Sequence, residues 1–371
     1  MMSQPAVARL SQMSGICHNA RVRVAQALDA AGPDLKSFVT TAAAKVSALL
    51  GFDIYVFSSV DPASGLQTSC EVFGFPKDSD RELRLLDLDW FSGDPLRYVQ
   101  LARSAAPAAA LRLSADPEQV QRYVEIIHPN GGYDELRLAC VTDGTWWATV
   151  TGYRRVGASP FTTKEVDQAA GLSATLAQGY RRTFLNAAVQ QPGDLKRPPG
   201  AFTISLEGRF ITTTASAEAW LDTLEQDRVS TLIRALAVGV ERIGTISVMV
   251  NGNAGPLSFH ATPLKGSDEE LSVIVEYPRP IHLTPLIVNA YSLTPRERDV
   301  TELVLHGLVT KQIARRLAIT DYTVQDHLKS IFAKTDTATR GELCAAFYTR
   351  FYAGPQDNNA SPGPYGYFLS D

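Results

Sequence analysis

The chain has 371 residues, 45% of them hydrophobic and 20% charged, which is enough apolar material for two or three domains at roughly 150 residues each. No stretch approaches the roughly 18 uninterrupted apolar residues of a membrane span, and the first residues lack the charged, apolar and small-residue order of a secretory signal, so no membrane and a cytoplasmic location are expected. Cys17, Cys70, Cys140 and Cys344 form no C-x-x-C pair, which excludes a disulfide scaffold and argues against a zinc site.

Two composition breaks divide the chain. Gln190 to Gly200 reads QQPGDLKRPPG, a linker by its prolines and glycines. Ala353 to Asp371 holds three prolines, three glycines and no basic residue, and is expected to be a disordered tail.

Ahead of the linker, Asp34 to Leu50 is apolar at helical spacing and stops at Gly51. Asp53 to Val60 and Leu66 to Phe73 read as strands around the turn Asp61-Pro62-Ala63-Ser64-Gly65. Asp94-Pro95 and Asp116-Pro117 each place an N-cap before a proline, so each is expected to open a short helix. Asp134 to Val141 and Trp146 to Arg154 form a hairpin around Thr142-Asp143-Gly144-Thr145. Within it, Trp146 and Trp147 alternate, so one ring faces the core and one the opposite side. Packing and the lining of a ligand pocket are both open for the exposed one. Thr162 to about Val189 is a long helix. Helix, strands, inserted helices, hairpin and closing helix make one α+β domain.

Beyond the linker, Phe202 to Leu206 and Arg209 to Thr213 flank a Glu207-Gly208 turn. Ser216 to Leu224 and Val229 to Arg242 are helical, and Gly244 to Val250, Pro256 to Leu264 and Leu271 to Glu276 are strand-like. That is a second, small α+β unit.

The C-terminal stretch differs in both charge and pattern. Thr294 to Phe351 carries 9 basic and 7 acidic residues within a chain of net charge −4, so the sign of the charge reverses there. Thr294-Pro295-Arg296-Glu297 is a capping box opening a helix with Val300, Leu303 and Val304 on its apolar stripe, stopped by Gly307. Ile313, Ala314 and Leu317 mark a second helix. Ala318-Ile319-Thr320 leads into a third, whose apolar face is Val324, Leu328, Ile331 and Phe332. Thr339 to Glu342 opens a fourth, with Leu343, Ala346 and Phe347 inward. Tyr322, Gln325, Asp326 and Lys329 share the outer side of the third helix. All four can form hydrogen bonds. The pattern fits either a solvated face or a surface that reads bases and phosphates.

The order of elements over residues 12–190, with the hairpin GYDELRLACVTDGTWWATVTGYRR, resembles a GAF domain, and residues 200–280 resemble a PAS-like domain. The run Leu293-Thr294-Pro295-Arg296-Glu297, Gly307, Lys311, Ile313-Ala314, Leu317, Thr323-Val324, His327-Leu328, Ile331, Lys334, Arg340 and Glu342-Leu343 resembles the LuxR-type helix-turn-helix of bacterial transcription regulators. The fold class implied is multidomain: a GAF-like sensor or dimerisation domain at 12–190, a linker at 191–199, a PAS-like domain at 200–280, an all-α four-helix DNA-binding domain at 286–352 and a tail at 353–371.

The resemblance implies that Thr320, Tyr322, Thr323, Gln325, Asp326, His327, Lys329 and Lys334 contact DNA, and that Leu343 and Phe347 on the fourth helix form a dimer contact. Val309 stands where the family places a Ser or Thr cap, so Thr310 is expected to take over. Phe91, Tyr98 and Tyr123 are the expected lining of a pocket in the first domain. Expected partners are double-stranded DNA, a second copy of the chain, a small-molecule effector whose identity is not legible, and RNA polymerase. No cofactor, metal or catalytic residue is expected: the histidines are scattered, and no nucleophile and base stand at a productive spacing. The alternative is a constitutive dimeric scaffold or protein-interaction module whose DNA affinity no ligand regulates.

Overall fold

The computed structural model describes residues 21–31, 34–76, 78–91, 93–190, 197–252, 255–267, 269–278, 291 and 293–351. The expected tail and most of the linker lie outside them. The first unit opens with α1 (21–29) and α2 (Leu35–Leu50), which begins where Asp34 accepts a hydrogen bond from the Ser37 amide and ends at Gly51, φ +67°. β1 (Ile54–Ser59), β2 (Glu71–Phe73), α3 (Ser79–Phe91), α4 (Tyr98–Arg103), β3 (Ala108–Ala110) and α5 (Leu111–Ser114) follow. After the turns between Pro117 and Asn130 come β4 (Gly132–Thr142), β5 (Thr145–Arg155) and α6 (Thr163–Gln190). The five strands form one antiparallel sheet in the order β2-β1-β5-β4-β3. Asp143 (φ +52°) and Gly144 (φ +73°) supply the two left-handed residues that the tight β4–β5 turn requires.

Three expectations need correction. Only Glu71–Phe73 of the second strand candidate pairs with β1, while Gln67 makes a single bridge to Val60. Leu66 belongs instead to the core of the second unit. Asp116 does cap a short 3₁₀ turn, but Asp94 opens no helix. Its Oδ1 accepts from the Leu96 amide at 2.7 Å, its other oxygen pairs with the buried Arg122, and α4 starts only after Arg97. α3 was not expected at all.

The two faces of the first sheet differ in chemistry. One packs on α2 and α6 through Phe38, Val46, Phe57, Leu138, Trp147, Val150, Leu176 and Tyr180, with Phe38 set edge-on to Phe57 at 6.1 Å. The opposite face lies under α3 and α4 and carries Ser58, Glu135, Arg137, Thr149 and Thr151, all buried. Trp146 stacks on Tyr98 on this side, while Trp147 is enclosed on the other, as the alternation predicts.

The second unit contains β6 (Gly200–Ser205), β7 (Phe210–Thr213), α7 (Ala215–Leu221), α8 (Gln226–Ile243), β8 (Ile246–Gly252), β9 (Gly255–Pro263) and β10 (Glu270–Glu276). Its sheet runs β7-β6-β10-β9-β8, so both sheets share the order second, first, fifth, fourth, third. Trp220, Leu232, Leu236 and Val240 pack on Phe202, Ile204, Phe259 and Val273. The two units are joined by the ion pair Arg234–Asp87 at 2.8 Å between α8 and α3. The Met249 amide adds a hydrogen bond to the buried Asp61.

Among the described residues the third unit is four helices: α9 (Pro295–Leu305), α10 (Thr310–Leu317), α11 (Asp321–Thr335) and α12 (Arg340–Phe351). Among the described residues no helix is long and apolar enough to cross a membrane.

Gly152 on β5 lies directly under the Phe52 ring, and a methyl group there would overlap the ring carbons. Gly152→Ala is therefore expected to destabilise the first unit by about 1–3 kcal/mol through overpacking, and thermal unfolding that leaves the midpoint unchanged would contradict this.

Candidate nucleic-acid interface

The third unit is assembled from its helix ends. Thr294 accepts from the Glu297 amide while the Glu297 carboxylate accepts from the Thr294 amide, completing the expected capping box. Glu297 also reaches across to α11. Its Oε1 accepts from Ser330 Oγ at 2.6 Å and its Oε2 from Lys334 Nζ at 2.6 Å. Burial alone would raise its pKa, but the hydrogen bonds from Lys334, Ser330 and Thr294 prevail and hold it at about 2. α9 and α11 are thus fixed to each other by one buried charge. At the start of α10, Val309 itself occupies the cap position, and the Gln312 side chain accepts from its amide at 2.9 Å. The expected shift of the cap to Thr310 does not occur.

The turn between α10 and α11 contains Ala318 at φ +54°, a left-handed conformation that an alanine adopts at a cost of about 1–2 kcal/mol. Arg296 reaches the Leu317 carbonyl just before it. Thr320 then caps α11, accepting from the Thr323 amide at 3.1 Å. Val324, Leu328 and Ile331 are buried, which turns the opposite row outward. Tyr322 is 72% exposed, Gln325, Asp326 and Lys329 are exposed, and Thr323 and His327 are half-buried. Gln325 Nε2 donates to Thr310 Oγ1 at 3.3 Å, and Lys329 Nζ stands 3.5 Å from Asp326 Oδ1. Asp336, φ +53°, terminates the helix.

Six of the eight expected DNA-contact residues lie on or beside this outward row, and Thr320 caps its start. Lys334 is placed apart from them by its bond to Glu297. Leu343 and Phe347, the expected dimer contact, are both buried, with the Phe347 ring 5.6 Å from Tyr291. They pack α12 against its own domain. Missing from the expected set are Lys311, Arg315 and Arg316, exposed on α10. Their spacing, one helical turn between Lys311 and Arg315, was the available signal. They supply much of the cationic surface that α11 lacks.

Four helices with a capped turn and a free polar row on the third define a helix-turn-helix domain. Residues 291–346 match the bacterial regulatory proteins of the luxR family, so this segment is a LuxR-type helix-turn-helix domain. An HTH-type transcriptional regulator of Mycobacterium bovis is 52% identical over 52 residues, 14% of this chain and 6% of that protein. The nitrate/nitrite response regulator protein NarL of Escherichia coli K12 is 50% identical over 50 residues, 14% of this chain and 23% of that protein. The monoamine regulon transcriptional regulator of Klebsiella aerogenes is 47% identical over 51 residues, 14% of this chain and 22% of its own length. The chain therefore spans less than a quarter of each of these relatives. Among solved structures, SdiA in complex with octanoyl-rac-glycerol covers 95% of this chain and 97% of that chain at 10% identity, with a TM-score of 0.29. Such a loose superposition carries no argument.

A second polar site lies in the first unit, where a cavity of about 90 Å³ separates α3 from the sheet. Tyr98 lines it as expected, and its hydroxyl bonds Thr151. Tyr123 does not line it, being buried with its hydroxyl accepting from Arg112 at 2.9 Å. Phe91 ends α3, and its side chain lies outside the described residues. Beside the cavity, Arg122, Arg137, Asp89, Asp94 and Glu135 form a buried ionic network. Burial would raise the pKa of Glu135, but Arg122 and Arg137 overcome this and hold it at about 2.

The third unit touches the first through one further charge. Asp143, at the β4–β5 turn, pairs at 2.9 Å with both Arg181 of α6 and Arg298 of α9.

Because the pKa of Glu297 is lowered from 4.5 to about 2, its contribution to stability is present above pH 4.5 and is lost as pH falls toward 2. Amide hydrogen exchange across residues 293–347 should report this loss locally. Glu297→Gln should flatten the profile and cost about 1.5–3 kcal/mol at neutral pH. Equal acid sensitivity in wild type and variant would refute the assignment.

Proposed function

We propose that this chain is a cytoplasmic transcription regulator that binds double-stranded DNA as a homodimer, with α11 entering the major groove. The observation that carries the reading is the outward row Tyr322, Gln325, Asp326 and Lys329 on a helix anchored from behind by Glu297 and Lys334. On this reading Thr320, Thr323 and His327 flank the groove and the α10 cations meet phosphates. The first unit is read as a GAF-like sensor, supported by its cavity and by the polar sheet face beneath α3. The second is read as a PAS-like domain, supported by a strand order identical to that of the first. A shift in domain placement on effector binding would alter how two helix-turn-helix domains meet half-sites about one helical turn apart. RNA polymerase is the partner such a regulator acts on.

Selection of bound sequences from a random DNA pool by the intact chain, followed by mapping of bound genomic DNA, tests the reading, and failure to enrich any sequence would overturn it. On the selected site, Lys329→Ala should weaken binding. Asp326→Ala should relax preference at one base position by ~1–3 kcal/mol and slightly raise affinity for unrelated DNA. A full set of single-base site variants reads both effects, and an unchanged preference in Asp326→Ala would leave that residue only as the partner of Lys329.

Arg298→Gln removes the ion pair from α9 to the β4–β5 turn. It should loosen the third unit, seen as faster limited proteolysis of the intact chain, and should shift DNA affinity without changing base preference. Unaltered proteolysis and affinity would exclude Asp143 as a coupling point.

A further inference from the structure

We propose that the cavity between α3 and the first sheet binds a small, electrically neutral molecule with an apolar body and a hydrogen-bonding head, such as an amide or alcohol. This rests on reading the first unit as a sensor, and it names the class of effector.

The head group is placed by Ser58 and Thr149. They are register partners on β1 and β5, so their side chains stand together on one face of the sheet. Both line the cavity and are 4% and 2% exposed, yet among the described residues neither hydroxyl has a hydrogen-bond partner. Gln67, 9% exposed, also lines the cavity. Unpaired buried polar groups are costly and uncommon. Their neighbours do not share the condition: Ser59 bonds Thr68 and Ser69, and Thr151 bonds Tyr98. The cavity thus presents these free hydroxyls, and with them that of Tyr153, the register partner of Ile54. Ile54, Val56, Val72, Leu83, Leu86 and Ile127 supply the apolar part of the lining.

Charge on the ligand is disfavoured by what is already paired. The charged residues lining the cavity are Arg81, Glu82, Asp89 and Arg137, two of each sign. Arg137, the one on the sheet itself, has its donors engaged by Asp89 at 2.6 Å, Glu135 at 3.0 Å and the Leu96 carbonyl at 3.2 Å. An anion would have to displace one of these carboxylates, and a cation would compete with the guanidinium. A neutral head can use the hydroxyls and leave the network intact. Size follows from the volume. A cavity of about 150 Å³ holds benzene, so one of about 90 Å³ suits an aliphatic body of about four carbons.

The test uses the full-length chain and three compounds on one branched skeleton, isobutyramide, isobutyrate and isobutylamine, titrated by ligand-observed NMR. Isobutyramide should bind at least about tenfold more tightly than either charged analogue. Thr149→Val and Ser58→Ala, which keep the shape of the wall, should each weaken it about fivefold. Equal binding of the three, tighter binding of a charged one, no saturable binding, or indifference to both substitutions would each overturn the proposal. DNA affinity with and without each compound is measured in parallel. Selective amide binding that leaves DNA affinity unchanged would keep the ligand class and remove the sensor reading. A response of DNA affinity to a charged analogue alone would do the reverse.

Discussion

α6 is the element on which the rest of the structure depends. Its 28 residues span about 42 Å at 1.5 Å per residue, longer than any single unit needs. One side buries Ala169, Leu172, Leu176, Tyr180 and Phe184 against the first sheet and α2. Further contacts reach β8 and β9 of the second unit and α12 of the third. An apolar stripe on a helix must be covered along its whole length, and here three units share the covering. A displacement of α6 relative to the first sheet cannot leave the other two units where they were.

The first sheet resolves a second constraint. A sheet covered on both faces can be apolar on both, as its α2 and α6 side is. Under α3 it instead buries two arginines and three carboxylates. Replacing such a network with hydrocarbon is often neutral or stabilising, whereas removing one member costs several kcal/mol because a partner is stranded. The network is therefore a poor explanation of stability and a good means of fixing geometry, since Arg137 must meet Asp89 on α3 and Glu135 on its own strand together. It sets the height of α3 above the sheet, and with it the size of the cavity. α3 is in turn tied by Asp87 to Arg234 on α8, and Thr231 of α8 also borders the cavity, so the second unit shares that boundary.

What was legible in the sequence was what local chemistry decides. Asp143-Gly144 specifies its turn, Thr294 to Glu297 specifies a helix start, and the periodicity of Val324, Leu328 and Ile331 specifies which side of α11 is free. What was not legible depended on distant partners. Glu82-Leu83-Arg84-Leu85 and Leu86-Asp87-Leu88-Asp89 alternate with a period of two, the signature of a strand, yet they are helical because α3 sits between the sheet and α8, where several of its sides find apolar or ionic partners. Asp94 has the local look of a helix cap, but Arg122, 28 positions later, claims it. Lys334 looks like a phosphate ligand until Glu297, 37 positions earlier, is seen to hold it. The spacing of Leu343 and Phe347 on the last helix turns them inward, but what covers them, Tyr291 and α9, is supplied only by the packing.

The remaining step joins the two polar sites. β4 carries Arg137 under α3 and ends five residues later at Thr142, which places Asp143 about 20 Å away at the rise of an extended strand. Asp143 holds Arg181 of α6 and Arg298 of α9 with the same carboxylate oxygen. Beyond Leu138 the strand pairs with β5 alone and carries a register shift between Cys140 and Val141, so Arg137 and the turn are joined through the β4–β5 ladder. At the turn, one carboxylate shared by two arginines cannot move toward one without weakening its hold on the other. The cost of shifting such an ion pair is small where water can reach it, and Asp143 is 37% exposed. Asp143 is therefore a weak contact, placed just past the end of the strand that carries Arg137, between the first unit and the third.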